Sequence, residues 1–97
     1  MINTHGIKVG SIVQHFKRER VDKITTTYLY KVLAFAEHTE TKEALVVYQA
    51  LYQNEKMGVC FGVYCRPADM FFSEVDHVKY PDYHQKYRFE VIDGIYI

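Results

Sequence analysis

Residues 44–52, Ala-Leu-Val-Val-Tyr-Gln-Ala-Leu-Tyr, read as a β-strand that is apolar or aromatic on both faces. Tyr48, Ala50 and Tyr52 share one face, and Leu45, Val47, Gln49 and Leu51 share the other. An antiparallel strand ordinarily needs one buried face, so a second sticky face calls for a curled barrel, a covering tail or a partner. The aliphatic set suits an interior better. That leaves Tyr48 and Tyr52, with Tyr30 and Tyr64, as an aromatic surface. Such a surface stacks bases, grips an extended peptide, or packs beneath the C-terminal tail, whose Tyr80, Tyr83, Tyr87 and Phe89 also need neighbours. The sequence leaves these alternatives open.

The rest of the chain supplies short strands separated by turn signals. Residues 11–16 form a strand candidate, and residues 17–23, Lys-Arg-Glu-Arg-Val-Asp-Lys, read as a solvated loop because their charges are mixed in sign. Residues 25–37 read as a long bent strand, with Tyr28, Tyr30, Val32, Ala34 and Ala36 on one face and Leu29, Leu33 and Phe35 on the other. Thr39 to Lys42 is the polar connection of a hairpin. Residues 53–56 form the next turn and residues 58–65 another strand, with Gly62 as a bulge or close-approach point. Pro67 ends that strand and can open a single helical turn through Met70. Residues 71–75 and 87–92 are further short strand candidates.

This pattern predicts an all-β fold: a small five-stranded SH3-like barrel with one short helical turn and a C-terminal tail, with an OB-like barrel as second choice. An α+β fold would require residues 22–36 to be helical, which Thr25, Thr26 and Thr27 argue against. The 97 residues suit one domain. No apolar run is long enough to span a bilayer and the first residues lack the pattern of a leader, so a cytoplasmic location is expected. Cys60 and Cys65 are an odd number of positions apart and fall on opposite faces, which prevents pairing, and both read as buried or half-buried thiols.

At the level of chemistry the chain has no Gly-rich phosphate loop, nucleophile elbow, His-Glu-x-x-His or Cys-x-x-Cys motif, so neither a cofactor nor a metal is expected and an enzyme is unsupported. His38 and Glu40, two apart at the hairpin mouth, are the one pairing suited to proton shuttling, as in a small hydrolase or metal-dependent enzyme; a turn-stabilising histidine is the favoured reading. Arg66 follows a strand and precedes a rigid proline. It either forms an internal ion pair with Glu40, Glu43 or Asp69, the favoured reading, or grips a carboxylate or phosphate. Met70 and Phe71 read as core plugs. Twelve basic residues balance twelve acidic ones, which disfavours broad phosphate binding and makes nucleic acid an unlikely partner, while permitting a local patch. The expected function is a noncatalytic binding module for a peptide, protein or anionic small ligand, using Arg66, Tyr48, Tyr52, Tyr64, His38 and Glu40. A homodimeric interaction domain is a further alternative.

Gln14-His15-Phe16-Lys17, Tyr30-Lys31-Val32-Leu33 with Ala36, His38, Glu40 and Thr41, residues 46–52, Arg66-Pro67, Met70-Phe71, Gln85 and Arg88-Phe89 occur in an order and spacing that resembles the domain of unknown function 1653 family. The likeness runs from about Val9 to Glu90. It implies a compact SH3-type barrel, usually bacterial, with no established reaction. Two positions depart from the family pattern: Arg18 stands where a glycine is expected, and Tyr64 where a tryptophan is expected. The first puts the opening hairpin in question; the second preserves an aromatic packing role.

Overall fold

The computed structural model describes residues 3–54 and 59–92. Strand β1 (Ile12–His15) leads into a 3-10 helix (Phe16–Arg20), then β2 (Leu29–Glu37), β3 (Ala44–Ala50), β4 (Gln53–Asn54), β5 (Val59–Cys60), β6 (Val63–Pro67), helix α1 (Ala68–Phe71) and β7 (Phe89–Val91). Five strands form one antiparallel sheet in the order β6-β3-β2-β1-β7, and β4 pairs with β5 in a separate ribbon. The all-β expectation holds, with its single short helix. The sheet is not closed: among the described residues β6 and β7 share no ladder, and the gap is spanned by backbone bonds between residues 73–75 and 86–88 (Val75 N–H to the Lys86 carbonyl, 2.8 Å; Arg88 N–H to the Ser73 carbonyl, 2.9 Å) and by the Phe71 ring, stacked 4.1 Å from that of Phe89. Among the described residues no helix is long and apolar enough to cross a membrane. Glu55 and Lys56 of the expected turn, and the Cys60 side chain, lie outside the described residues.

The core reverses the expected face of β3. Val46, Tyr48 and Ala50 are buried, whereas Leu45, Val47 and Gln49 are only half-buried. Ring packing is the physical reason. Tyr48 lies 5.3 Å from Tyr30, 5.2 Å from Phe71 and 5.6 Å from Phe89, so an aromatic cluster fills the space that an aliphatic interior would have occupied. A bulge between Val32 and Ala34 changes which residues of β2 point inward: Val32 faces Tyr48, but Ala34 faces Val47 and Phe35 faces Val46. Past Leu33 the simple alternation expected for this strand therefore fails. Residues 71–75 do not form a strand; Phe71 ends α1 and Glu74 makes an isolated bridge to Tyr87. Phe71 is a core plug as expected, but Met70 is 46% exposed because it lies on the outer side of the single helical turn. Cys65 is likewise exposed rather than buried, on the outward face of β6.

The mixed-charge run is not merely a solvated loop. Arg18 is 5% exposed, and its guanidinium donates to the carbonyls of Thr25 (2.9 Å), Thr27 (2.8 Å) and Lys23 (3.4 Å). Lys23 returns a hydrogen bond from Nζ to the Arg18 carbonyl. One side chain thus organises residues 23–27, which approach β2 through Tyr28 at φ +66°. The guanidinium's several donors suit it to collect carbonyls that have no strand partner.

The β2–β3 hairpin lacks an Asn-Gly turn and uses side chains instead. The His38 N–H donates to the Glu43 carbonyl (2.8 Å), and Lys42, at φ +64°, closes back on the His38 carbonyl (2.9 Å). His38 Nδ1 accepts from the Glu40 and Thr41 N–H groups at 3.2 and 3.3 Å.

Candidate functional site

Register places four tyrosines and one arginine on the concave side of the sheet. Tyr48 of β3 is the direct cross-strand neighbour of Tyr64, and Val46 that of Arg66, so Tyr64 and Arg66 project to the same side from alternate positions of β6. Tyr30 comes from β2, and Tyr52 from the chain just beyond β3. Together Tyr30, Tyr48, Tyr52, Tyr64 and Arg66 line a cavity of about 210 Å³. Gly62 permits the arrangement. A Cβ at that position would stand 2.7 Å from the Tyr64 hydroxyl, so only glycine lets this phenol lie back over the chain.

The Tyr30 and Tyr52 hydroxyls hydrogen-bond at 2.7 Å. Burial, reinforced by that bond, raises the Tyr30 pKa, and burial raises that of Tyr52, so both phenols stay protonated at any ordinary pH. The lining therefore carries hydroxyls and a guanidinium but no carboxylate. The Arg66 Cζ atom lies 6.0 Å from the centre of the Phe89 ring. Among the described residues, no carboxylate lies within ion-pair distance of Arg66, and the expected pairs with Glu40, Glu43 or Asp69 do not form. Asp69 instead accepts the Met70 N–H at 2.8 Å.

Behind Phe89 sits His15, buried and 5.1 Å from that ring. Its pKa is pushed down to about 3 by burial first, and then by the positive charges of Arg66, Arg88 and Lys17. Nδ1 accepts the Lys17 N–H at 3.2 Å, so the neutral ring carries its proton on Nε2. Three cations from three elements therefore bear on one uncharged imidazole.

His38 and Glu40 are not among the residues lining this cavity; they remain on the hairpin tip, where the histidine serves the turn. Among the described residues no three His, Cys, Asp or Glu side chains gather as a metal site. Of the C-terminal tyrosines, Tyr80 and Tyr83 pack on Phe16 at 5.0 and 5.1 Å, not on Tyr52 or Tyr64. Phe89 is the part of the tail that reaches Tyr30 and Tyr48. Arg88, a cation, and the neutral His15 are neighbours of this site that no motif in the sequence announces. The adjacent Arg88-Phe89 pair, with its aromatic beside a cation, was the available signal.

Fold and site together define a small antiparallel β domain with a phenol-lined, cation-bearing concavity. The chain belongs to the family described as protein of unknown function DUF1653, whose model matches residues 11–91. No curated protein and no solved structure matches the chain.

Proposed function

We propose that this protein is a noncatalytic, cytoplasmic binding module that takes an anionic ligand into the tyrosine cavity, with a carboxylate or phosphate against Arg66 and a planar or apolar portion among Tyr48, Tyr52 and Tyr64. The observation carrying this reading is the lining itself: a guanidinium without a carboxylate partner among the described residues, surrounded by four phenols. Such a lining complements negative charge and offers rings to stack on. The exposed free thiol of Cys65 suits a reducing compartment.

The test is a titration with phenyl phosphate and inorganic phosphate, followed by NMR. Phenyl phosphate should bind about tenfold more tightly, because stacking one ring contributes on the order of 1–3 kcal/mol. Arg66, Tyr48 and Tyr52 signals should move first. Arg66→Ala should remain folded and lose at least about tenfold in affinity, since a charge-assisted hydrogen bond contributes roughly 1.5–3 kcal/mol. Shifts confined to Leu45, Val47 and Cys65 would refute the assignment.

A specific observation also supports the homodimer reading. The outward face of β3 and β6 presents Val47, Cys65 and a 57% exposed Val63 beside an unpaired strand edge. Light scattering over a concentration series should then show mass doubling, and a constant monomer mass would dismiss it.

A further inference from the structure

β6 ends the sheet, and its free side carries unused backbone groups. The Ala50 N–H donates to the Gly62 carbonyl at 2.8 Å, and the register carries that kind of pairing on to Tyr48 with Tyr64 and Val46 with Arg66. Antiparallel alternation then turns the N–H and C=O groups of Val63 and Cys65 away from β3. Among the described residues nothing hydrogen-bonds to them. Edge strands are ordinarily blunted by outward charges, bulges or a cover, but the outer face here is the 57% exposed Val63 and the exposed Cys65. Pro67 blunts only the last position. The other edge differs: β7 is three residues long, carries Glu90, and adjoins the span between residues 73–75 and 86–88. That span follows closely on α1, at the Pro67 end of β6, and none of its bonds reaches Val63 or Cys65.

The one charge within β6 belongs to Arg66, on the concave side with Tyr64. Its guanidinium reaches towards the opposite edge, to 6.0 Å from the Phe89 ring, and no carboxylate among the described residues pairs with it. A strand added to β6 would set alternate side chains on that same side, with Cβ atoms about 4.5–5.5 Å from those of Tyr64 and Arg66. Backbone and cation therefore select one occupant, an extended chain with a carboxylate on its inward face. A second copy of β6 does not meet the requirement. Its sequence, Val-Tyr-Cys-Arg-Pro, has no acidic residue, so self-pairing leaves both guanidinium groups without a partner.

We infer that β6 is a docking edge for an extended acidic peptide, which adds antiparallel to it, bonds to the backbone of Val63 and Cys65, and sets a side-chain carboxylate against Arg66. This rests on the reading of Arg66 as an anion site and names the anion as part of a strand-adding peptide. The register also fixes the motif. In an antiparallel addition the acidic residue opposite Arg66 is followed by residues opposite Cys65, Tyr64 and Val63, in that order. The first and third of these face outward beside Cys65 and Val63 and suit β-branched apolar side chains. The second faces Tyr64 and the cavity, where an aromatic ring finds the phenols to pack on.

The test is amide hydrogen exchange and titration, both followed by NMR, with the capped peptide Glu-Val-Tyr-Val-Thr. In the free protein the Val63 and Cys65 N–H groups should exchange without protection, and saturating peptide should slow both at least about tenfold. Methylating the two valine nitrogens of the peptide, which face β6, should abolish binding, whereas methylating the tyrosine nitrogen, which faces away, should leave it. Glutamine in place of the peptide's glutamate, or Arg66→Gln in the protein, should weaken binding at least about threefold. Protection of Val63 and Cys65 in the free protein would show the edge already covered, by a second copy if the mass also doubles, and would overturn the inference. Absence of peptide binding, or indifference to methylation of the valines, would overturn it equally. Phenyl phosphate separates the two readings: if it still moves Arg66 in those cases, the anion site stands and strand addition alone falls; if neither ligand moves Arg66, both fall.

Discussion

Phe89→Ala is expected to destabilise the protein by about 3–5 kcal/mol, a large fraction of the roughly 5–15 kcal/mol that holds a domain of this size folded. The ring is 1% exposed and lies almost parallel to Phe71, with 7° between their planes. It also contacts Tyr30, Tyr48 and His15 edge-on or tilted. β7 itself is three residues long and, among the described residues, pairs with β1 alone, so its backbone ladder provides little hold. Phe89 is thus the main side-chain tie between the two open edges of the sheet, beside the backbone bonds of residues 73–75 with residues 86–88, because α1 brings Phe71 to it directly from the end of β6. At roughly 4–8 °C per kcal/mol, the melting temperature should fall by about 12–40 °C. Phe89→Leu, which keeps most of the apolar volume, should lose far less. A melting shift of only a few degrees for the alanine variant would mean that the edges are joined by something other than this ring.

The parts of this fold that could be read from sequence are those set by strong local punctuation. Pro67 ends a strand and leads into a helical turn; it stands as the last residue of β6 and the N-cap of α1, so the turn starts at Ala68, one residue later than the sequence suggests. The hairpin at residues 39–42 followed from a polar interval between two apolar runs. Faces were harder. With tyrosine on one side of β3 and aliphatics on the other, periodicity shows two apolar faces without ranking them, and the ranking came from rings on β2, α1 and β7 that are distant in sequence. The bulge at Leu33 has no glycine to announce it. Arg18 was hidden for a similar reason: a cation within a mixed-charge run gives no sign that carbonyls five to nine residues later will surround it.

For the site, residue types were legible and their environments were not. Tyr48 was read as surface and is 5% exposed, yet it still lines the cavity, because a tyrosine buries its ring and leaves one end for other work. An internal ion pair for Arg66 needs Glu40 or Glu43 from the hairpin or Asp69 from α1. The register pairs Val46 with Arg66 and carries Glu40 and Glu43 beyond the end of the ladder, and Asp69 accepts the Met70 N–H instead. Whole-chain charge was equally uninformative about a single face, since a balance of twelve against twelve records no positions.

Acidification supplies the second large effect, through His15. Its pKa is 6.5 when unfolded and about 3 in the folded protein, so between these values the unfolded chain binds one more proton than the native one. Stability is therefore complete above pH 6.5 and declines as the pH falls towards 3, by about 1.4 kcal/mol per unit. From pH 6.5 to 4.5 the loss should reach roughly 2–2.5 kcal/mol. Desolvation pushes the Glu19 pKa up, but the N–H groups of Gln85 and His84 outweigh it and hold the carboxyl below its ordinary 4.5, so its contribution fades as the pH falls from 4.5. The interval from pH 6.5 to 4.5 therefore belongs to His15, and below it the two overlap. His15→Asn isolates the histidine contribution, because an asparagine oxygen can replace Nδ1 as acceptor for the Lys17 N–H and does not titrate. That variant should be less stable at neutral pH, having lost its ring contacts with Phe16, Tyr28 and Phe89, yet its unfolding free energy should be nearly flat between pH 6.5 and 4.5. Urea unfolding at a series of pH values measures both slopes. Equal slopes in the two proteins would show that His15 protonates freely in the folded state, and hence that neither its burial nor the positive charges of Arg66, Arg88 and Lys17 hold it neutral.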